Sequence, residues 1–297
     1  MAFSHSFEYF RPGTLAEALS LLDQYKGDAR LLAGGTDLAV HIKENMATPP
    51  VVIDVKRVTD FPGSRVSPKA LYLNASTTFS DIVNHADLRK AYPMLWEAAR
   101  SVASVGIRNR ATLAGNICSA VPSLDVAPAL LCYDAIVHVA SSSGTREISI
   151  HDWFISPRKT ACLGTEIMLG ISITAPAVKH SGIYLKQGRY RGEDLAQAGL
   201  GVLITSDLQY RLAYCAVGPI PFRARAIEAV LNGKVLTAEL ISSAKAMVQD
   251  TVHPITDIRS SKEYRLHICE VMLERGLKAV EQRLNGAEFD SAEILGG

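Results

Sequence analysis

Two adjacent glycines, Gly34 and Gly35, break an apolar run that starts at Leu31 and resumes at Leu38, and they constrain this chain more than any other stretch. Lacking Cβ atoms, the pair can turn through positive φ and bring successive N–H groups close to an anion. Leu31-Leu32-Ala33-Gly34-Gly35-Thr36-Asp37-Leu38 therefore reads as a strand running into a phosphate loop, with Thr36 and Asp37 offering a hydroxyl and a carboxylate to cap the next helical turn. A tight turn between two core segments would use the same residues. The dinucleotide pattern G-x-G-x-x-G cannot be laid over Ala33–Leu38, which disfavours an ordinary Rossmann domain.

A second stretch has the same character: Ala111-Thr112-Leu113-Ala114-Gly115-Asn116-Ile117-Cys118-Ser119, then Val121-Pro122-Ser123-Leu124-Asp125. It is small, hydroxylated and anchored by glycine, and is expected to form a second loop. Between and around the two stretches the periodicity alternates. Thr14 and Glu17 are spaced as a capping box ahead of a helix ending near Gly27, and strands are expected at Ala29–Ala33 and Val51–Val55. A second lobe has a strand at Ala70–Ala75 and a helix at Ser80–Arg89, followed by a helix opened by Pro93 and closed by Gly106. Its hairpin joins Ile136–Ala140 to Arg146–Ile150, and Glu166–Ile173 follows. The third unit carries strands at Gly182–Gln187, Ala198–Thr205 and Tyr210–Val217. Helices then follow at 223–232, 237–252 and 261–284, the last interrupted by Gly276. This is an α+β chain divided at 1–58, 59–177 and 178–286, with a frayed polar tail over 287–297.

With 297 residues and 48% hydrophobic content, the chain can fill its cores without staples. Thirty-one basic against 30 acidic residues leave no field for nucleic acid or an anionic membrane surface, so small molecules and proteins are the expected partners. Five scattered cysteines, none spaced C-x-x-C, argue against disulfides or an iron-sulfur cluster on this chain. The histidines are isolated and no metal site is expected. Met1–Arg11 shows no secretory pattern and no apolar run is long enough to span a bilayer, so a cytoplasmic location is expected.

The two glycine stretches together resemble the paired nucleotide loops of the FAD-binding (medium) subunit of the molybdenum hydroxylases, closest to the xanthine dehydrogenase type. There the patterns run A-G-G-T-D and T-x-G-G-N, then S-P-x-x-D. The resemblance extends from Phe7 to Leu284 and implies a two-lobed FAD-binding domain of the PCMH/vanillyl-alcohol-oxidase kind, followed by a smaller C-terminal α+β domain with an antiparallel sheet and helices. It places FAD against Leu31–Leu38, Val102, Ala111, Thr112, Ala114, Gly115, Asn116, Ser119 and Asp125. Met168 falls by the adenine, Lys186 by the pyrimidine end of the ring, and Leu195 of Arg191–Ala196 beside the ring. No catalytic residue is assigned on this chain.

Further expectations come from the same resemblance. No histidine lies between Leu31 and Asp37 to attach the flavin, so FAD is expected to be non-covalent. Partner subunits would carry the molybdenum cofactor and [2Fe-2S] clusters, with NAD as a candidate acceptor and a purine such as xanthine as substrate. The purine follows from Arg158-Lys159-Thr160 and Ser261–Arg265. Two departures stand out: Ala114 replaces the first glycine of the second loop, and Val121 the serine before proline. The alternatives are a self-sufficient FAD-dependent reductase of the UDP-N-acetylenolpyruvoylglucosamine reductase type and a nucleotide-free assembly module.

Overall fold

The computed structural model describes residues 5–190 and 192–295. Residues 1–4 of the first lobe, Arg191 of the charged turn and the last two residues of the tail lie outside them. The first sheet is parallel. Strand β1 (Glu8–Phe10) leads to α1 (Leu15–Tyr25), which begins at the expected capping box: Thr14 Oγ1 accepts from the Glu17 amide, and the Glu17 carboxylate accepts from that of Thr14. Strand β2 (Ala29–Leu32) runs into the paired glycines, α2 (Leu38–Lys43) follows, and the fully buried β3 (Val51–Asp54) lies between the other two.

In the second lobe, β4 (Arg65–Val66) and β5 (Ala70–Asn74) precede a helical layer that departs from the expected pattern. The helix expected over 80–89 is two, α3 (Phe79–Asn84) and α4 (Ala86–Ala91), separated by extended backbone at His85. At the break, the Val83 carbonyl accepts from the Trp96 indole at 2.8 Å, a tertiary bond that helical periodicity does not encode. Helix α5 (Pro93–Arg100) stops before Ala103, whose φ is 37°, and Gly106 sits inside a new turn, α6 (Val105–Arg108), rather than closing α5. The second glycine stretch is itself a helix, α7 (Leu113–Ser119), N-capped by Thr112, whose hydroxyl accepts from the Gly115 amide at 3.0 Å. After α8 (Ala127–Cys132) come the hairpin β6 (Ile136–Ser141) and β7 (Gly144–Ser149), α9 (Ile150–Trp153), the short pair β8 (Phe154–Ser156) and β9 (Lys159–Thr160), and β10 (Ile167–Thr174). Strand β10 lies at the centre of an antiparallel sheet ordered β4-β5-β10-β6-β7.

The third sheet is antiparallel in chain order: β11 (His180–Gln187), β12 (Ala198–Thr205), β13 (Tyr210–Cys215) and β14 (Phe222–Arg223). Successive side chains of a strand point to opposite faces, and every residue of β12 is buried. Ala198, Leu200, Val202 and Ile204 enter a core shared with the C-terminal helices, while Leu203 joins the core of the second lobe. On that second face glycines allow close approach: a Cβ on Gly201 would lie 3.1 Å from both Met94 Sδ and Pro128 Cβ.

The C-terminal helices are α10 (Arg225–Leu231), α11 (Ala238–Ala246), α12 (Val248–Thr251) and α13 (Lys262–Leu284). The single helix expected over 237–252 is broken at Met247. Gly276, by contrast, does not interrupt α13: it faces Val202, whose methyl would stand 2.9 Å from an added Cβ.

The tail expected to fray is pinned over its described residues, 287–295. Asp290 pairs with Arg100 of α5, Ser291 is buried, and Phe289 and Ile294 pack on the C-terminal core. Arg283 of α13 reaches Glu97 of α5 at 2.5 Å and the carbonyls of Gly182 and Phe289 at 2.9 Å each. No helix among the described residues is long and apolar enough to cross a membrane, and no three metal-ligating side chains cluster there.

Candidate functional site: a cradle where two glycine stretches meet

The two stretches, nearly 80 positions apart by their numbering, converge. A Cβ on Gly34 would lie 2.0 Å from the Arg110 carbonyl oxygen and 2.9 Å from Ala111 Cα, so only glycine permits this contact. One turn into α7, the space beside Gly115 is bounded by Ala33, whose Cβ would stand 3.9 Å from an added one. At the far end Ser119 Oγ donates to Asp37 Oδ2 at 2.5 Å. Asp37 therefore occupies the N-cap position of α2 without capping it, because its carboxylate is turned toward α7.

The groups exposed to this cleft suit a diphosphate. Gly35 has φ of +80°, and among the described residues no acceptor within the chain is found for the N–H groups of Gly34, Gly35 and Thr36. Consecutive unpaired N–H groups in such a bend form an anion-binding concavity. The side-chain oxygen Oδ1 of Asn116 is buried without a hydrogen-bond partner and, being an acceptor, would be completed by a donor rather than by a phosphate oxygen. Ala114, in place of glycine, is buried in the first turn of α7 and is accommodated there. Leu31 and Leu32 end β2, and Leu38 starts α2. Cys118, one turn beyond Ala114, lies with its Sγ 3.9 Å from Met168 Sδ, and Met168 itself is buried in the core of the second lobe.

A second cluster joins Asp125 and Lys186. Lys186 Nζ donates to Asp125 Oδ2 and to the Ser101 carbonyl, each at 2.9 Å, and Tyr184 Oη donates to Asp125 Oδ1 at 2.8 Å. Burial pushes the Asp125 carboxyl above the usual carboxylate range, with Lys186 and Tyr184 pulling it partly back. Ser101 carries the buried Val102 to this cluster. Arg108 donates to the Val102 and Ala103 carbonyls, each at 2.7 Å. Leu195 is exposed on the β11–β12 loop, where Asp194 is held by Arg189, and stands apart from both clusters in hydrogen bonding. Tyr184 went unnoticed in the sequence. Its signal lay across the sheet, where Gly199 leaves room: a Cβ there would meet Tyr184 Oη at 2.6 Å.

A two-lobed α+β fold with this cradle defines an FAD-binding flavoprotein subunit. Residues 5–176 match the model described as FAD binding domain in molybdopterin dehydrogenase, and residues 183–280 match that of the CO dehydrogenase flavoprotein C-terminal domain. The chain belongs to this family, the FAD subunits of molybdenum hydroxylases, and is an oxidoreductase subunit whose cofactor is FAD.

Among its relatives is the nicotinate dehydrogenase FAD-subunit of Eubacterium barkeri, 29% identical over 289 residues that cover 94% of this chain and 98% of that one. Another is a putative xanthine dehydrogenase FAD-binding subunit of Escherichia coli (strain K12), 28% identical with 90% and 93% covered. A solved carbon monoxide dehydrogenase from Hydrogenophaga pseudoflava superposes with a TM-score of 0.90 at 30% identity, covering 95% of this chain and 99% of that chain.

Proposed function

We propose that this chain is the electron-transfer subunit of a heteromeric molybdenum hydroxylase of the xanthine dehydrogenase kind. It receives electrons from an iron-sulfur subunit and passes them to an acceptor such as NAD, while a nitrogen heterocycle, a purine in the first instance, is oxidised on a molybdenum subunit. The observation that carries the reading is the seating of Gly34 on the Arg110–Ala111 backbone, which joins the unpaired N–H groups of Gly34–Thr36 to α7 in one anion-binding cradle. The substrate class rests on relatives whose names specify nicotinate, xanthine and caffeine.

In this reading FAD lies between lobes 1–58 and 59–177, held without a covalent bond, and the unit at 178–286 covers its ring. When bound it supplies a centre that accepts electrons singly and releases them in pairs. The chain's own residues position and balance charge. Leu31–Leu38 with Ala111, Thr112, Ala114, Gly115 and Asn116 hold the diphosphate, and Ser119 fixes Asp37. Met168 packs at the adenosine end. The Asp125–Lys186 pair and Val102 form the wall toward the ring, with Leu195 at its rim. Thr112 keeps the first turn of α7 in place through its 3.0 Å cap.

A tagged chain purified from its own cells tests the proposal. The expected product is yellow, releases its flavin on acid precipitation and co-purifies with molybdenum and iron. A colourless chain that takes up no FAD would overturn the reading. Reduction of an enolpyruvyl sugar by the isolated chain with NADPH would replace it with the reductase alternative.

A further inference from the structure

Arg158 lies in the two-residue turn between β8 and β9, directly after Pro157, and has φ of +62°. Proline followed by a positive φ is the type II pattern, whose second central position ordinarily takes glycine or asparagine. An arginine there bears a backbone penalty of about 1 kcal/mol or more. Its side-chain contacts do not offset that cost. Among the described residues the guanidinium has no carboxylate partner, and its one side-chain hydrogen bond is a loose 3.4 Å contact from Nη1 to His41 Nε2.

The position of Arg158 indicates what it is held for. Its amide donates to the Ala120 carbonyl at 2.8 Å, the residue after Ser119, and Ser119 holds Asp37. The His41 amide in turn donates to the Asp37 carbonyl at 2.9 Å. These bonds link Asp37, Ser119, Ala120, Arg158 and His41 into a ring at the end of the cradle away from Gly34. Asp37 adds negative charge there, so a bound diphosphate needs a nearby cation. Resting on the FAD reading above, we infer that Arg158 is a binding residue for the cofactor's diphosphate, donating its free N–H groups while the His41 ring lies beside the guanidinium.

The test compares FAD affinity by flavin-fluorescence titration of the apo full-length chain at low and high salt, using wild type, Arg158→Gly and Arg158→Lys. Arg158→Gly removes the charge and relieves the backbone. It is expected to melt no lower than wild type as apo-protein, yet to bind FAD at least roughly tenfold more weakly, with a shallower salt dependence. Arg158→Lys keeps the charge and should bind more tightly than Arg158→Gly. If wild type binds FAD and Arg158→Gly binds it equally well, this inference is overturned while the FAD reading stands. Weakening that is independent of salt and accompanied by a lower apo melting temperature would also overturn it, by marking a structural role. A wild type that binds no FAD would count against the FAD reading itself.

Discussion

Gly34→Ala tests the convergence of the two lobes most directly. The new methyl would be 2.0 Å from the Arg110 carbonyl oxygen and 2.7 Å from its carbonyl carbon, and both are backbone atoms. An ordinary carbon–oxygen contact needs more than an additional ångström, so β2's exit loop and the start of α7 must move apart. Overpacking of this kind costs about 1–3 kcal/mol. The lobes must re-approach to hold the diphosphate, so that cost appears in FAD affinity as a loss of roughly 5- to 150-fold. Gly63→Ala is the control, since nothing lies within 4 Å of its Cβ position and its φ is not positive. Fluorescence titration with FAD and a melting curve of the apo chain give both quantities. FAD affinity within twofold of wild type, with unchanged melting, would refute the claim that these backbones touch.

Other predictions concern charge. Arg283→Met leaves Glu97 buried opposite an absent partner and should cost about 3–5 kcal/mol in chemical denaturation; a loss below 1 kcal/mol would show that the α5–α13 bridge contributes little. Lys186→Met exposes Asp125 to unrelieved burial, raising its pKa further above the ordinary value. A carboxyl that holds its proton more tightly when folded gives stability that is full below the unfolded value and lost as pH rises. The variant's deficit should therefore shrink toward pH 4, and Asp125→Asn added to it should recover stability at pH 7; equal deficits at both pH values would refute the coupling. Glu274 is held at about 2, first by the hydrogen bond from Lys245 and then by that from Lys278. Its contribution is complete above its ordinary value near 4.5 and disappears as pH falls toward 2. Glu274→Gln should flatten the stability curve in that window, as acid titration monitored by circular dichroism would reveal.

The legible parts of the sequence were those set by local chemistry. The Thr14–Glu17 box, the Ser141–Gly144 hairpin and the bare backbone at Gly34 follow from residue type and spacing, and they located the cradle. The illegible parts depended on distant partners. The breaks at His85 and Ala103 follow no propensity rule, and the second stretch read as a loop because its glycine and hydroxyls conceal a helix capped by Thr112. The tail looked polar, but Asp290 has a partner 190 positions away in Arg100. Lys186 and Asp125 were each expected at the site from the resemblance, but their pairing at 2.9 Å, with Tyr184 bonded to the same carboxylate, depends on the fold. Arg158 gave one signal that was missed: proline at the first central position of a turn with no glycine after it.

Strand β12 contributes alternate side chains to two interiors. A single ribbon thus serves as the shared wall between the second lobe and the C-terminal unit, and neither can melt while its neighbour keeps its order. Warming such a molecule should give one sharp transition rather than two, and cutting it into separate halves would leave each with a raw, greasy flank.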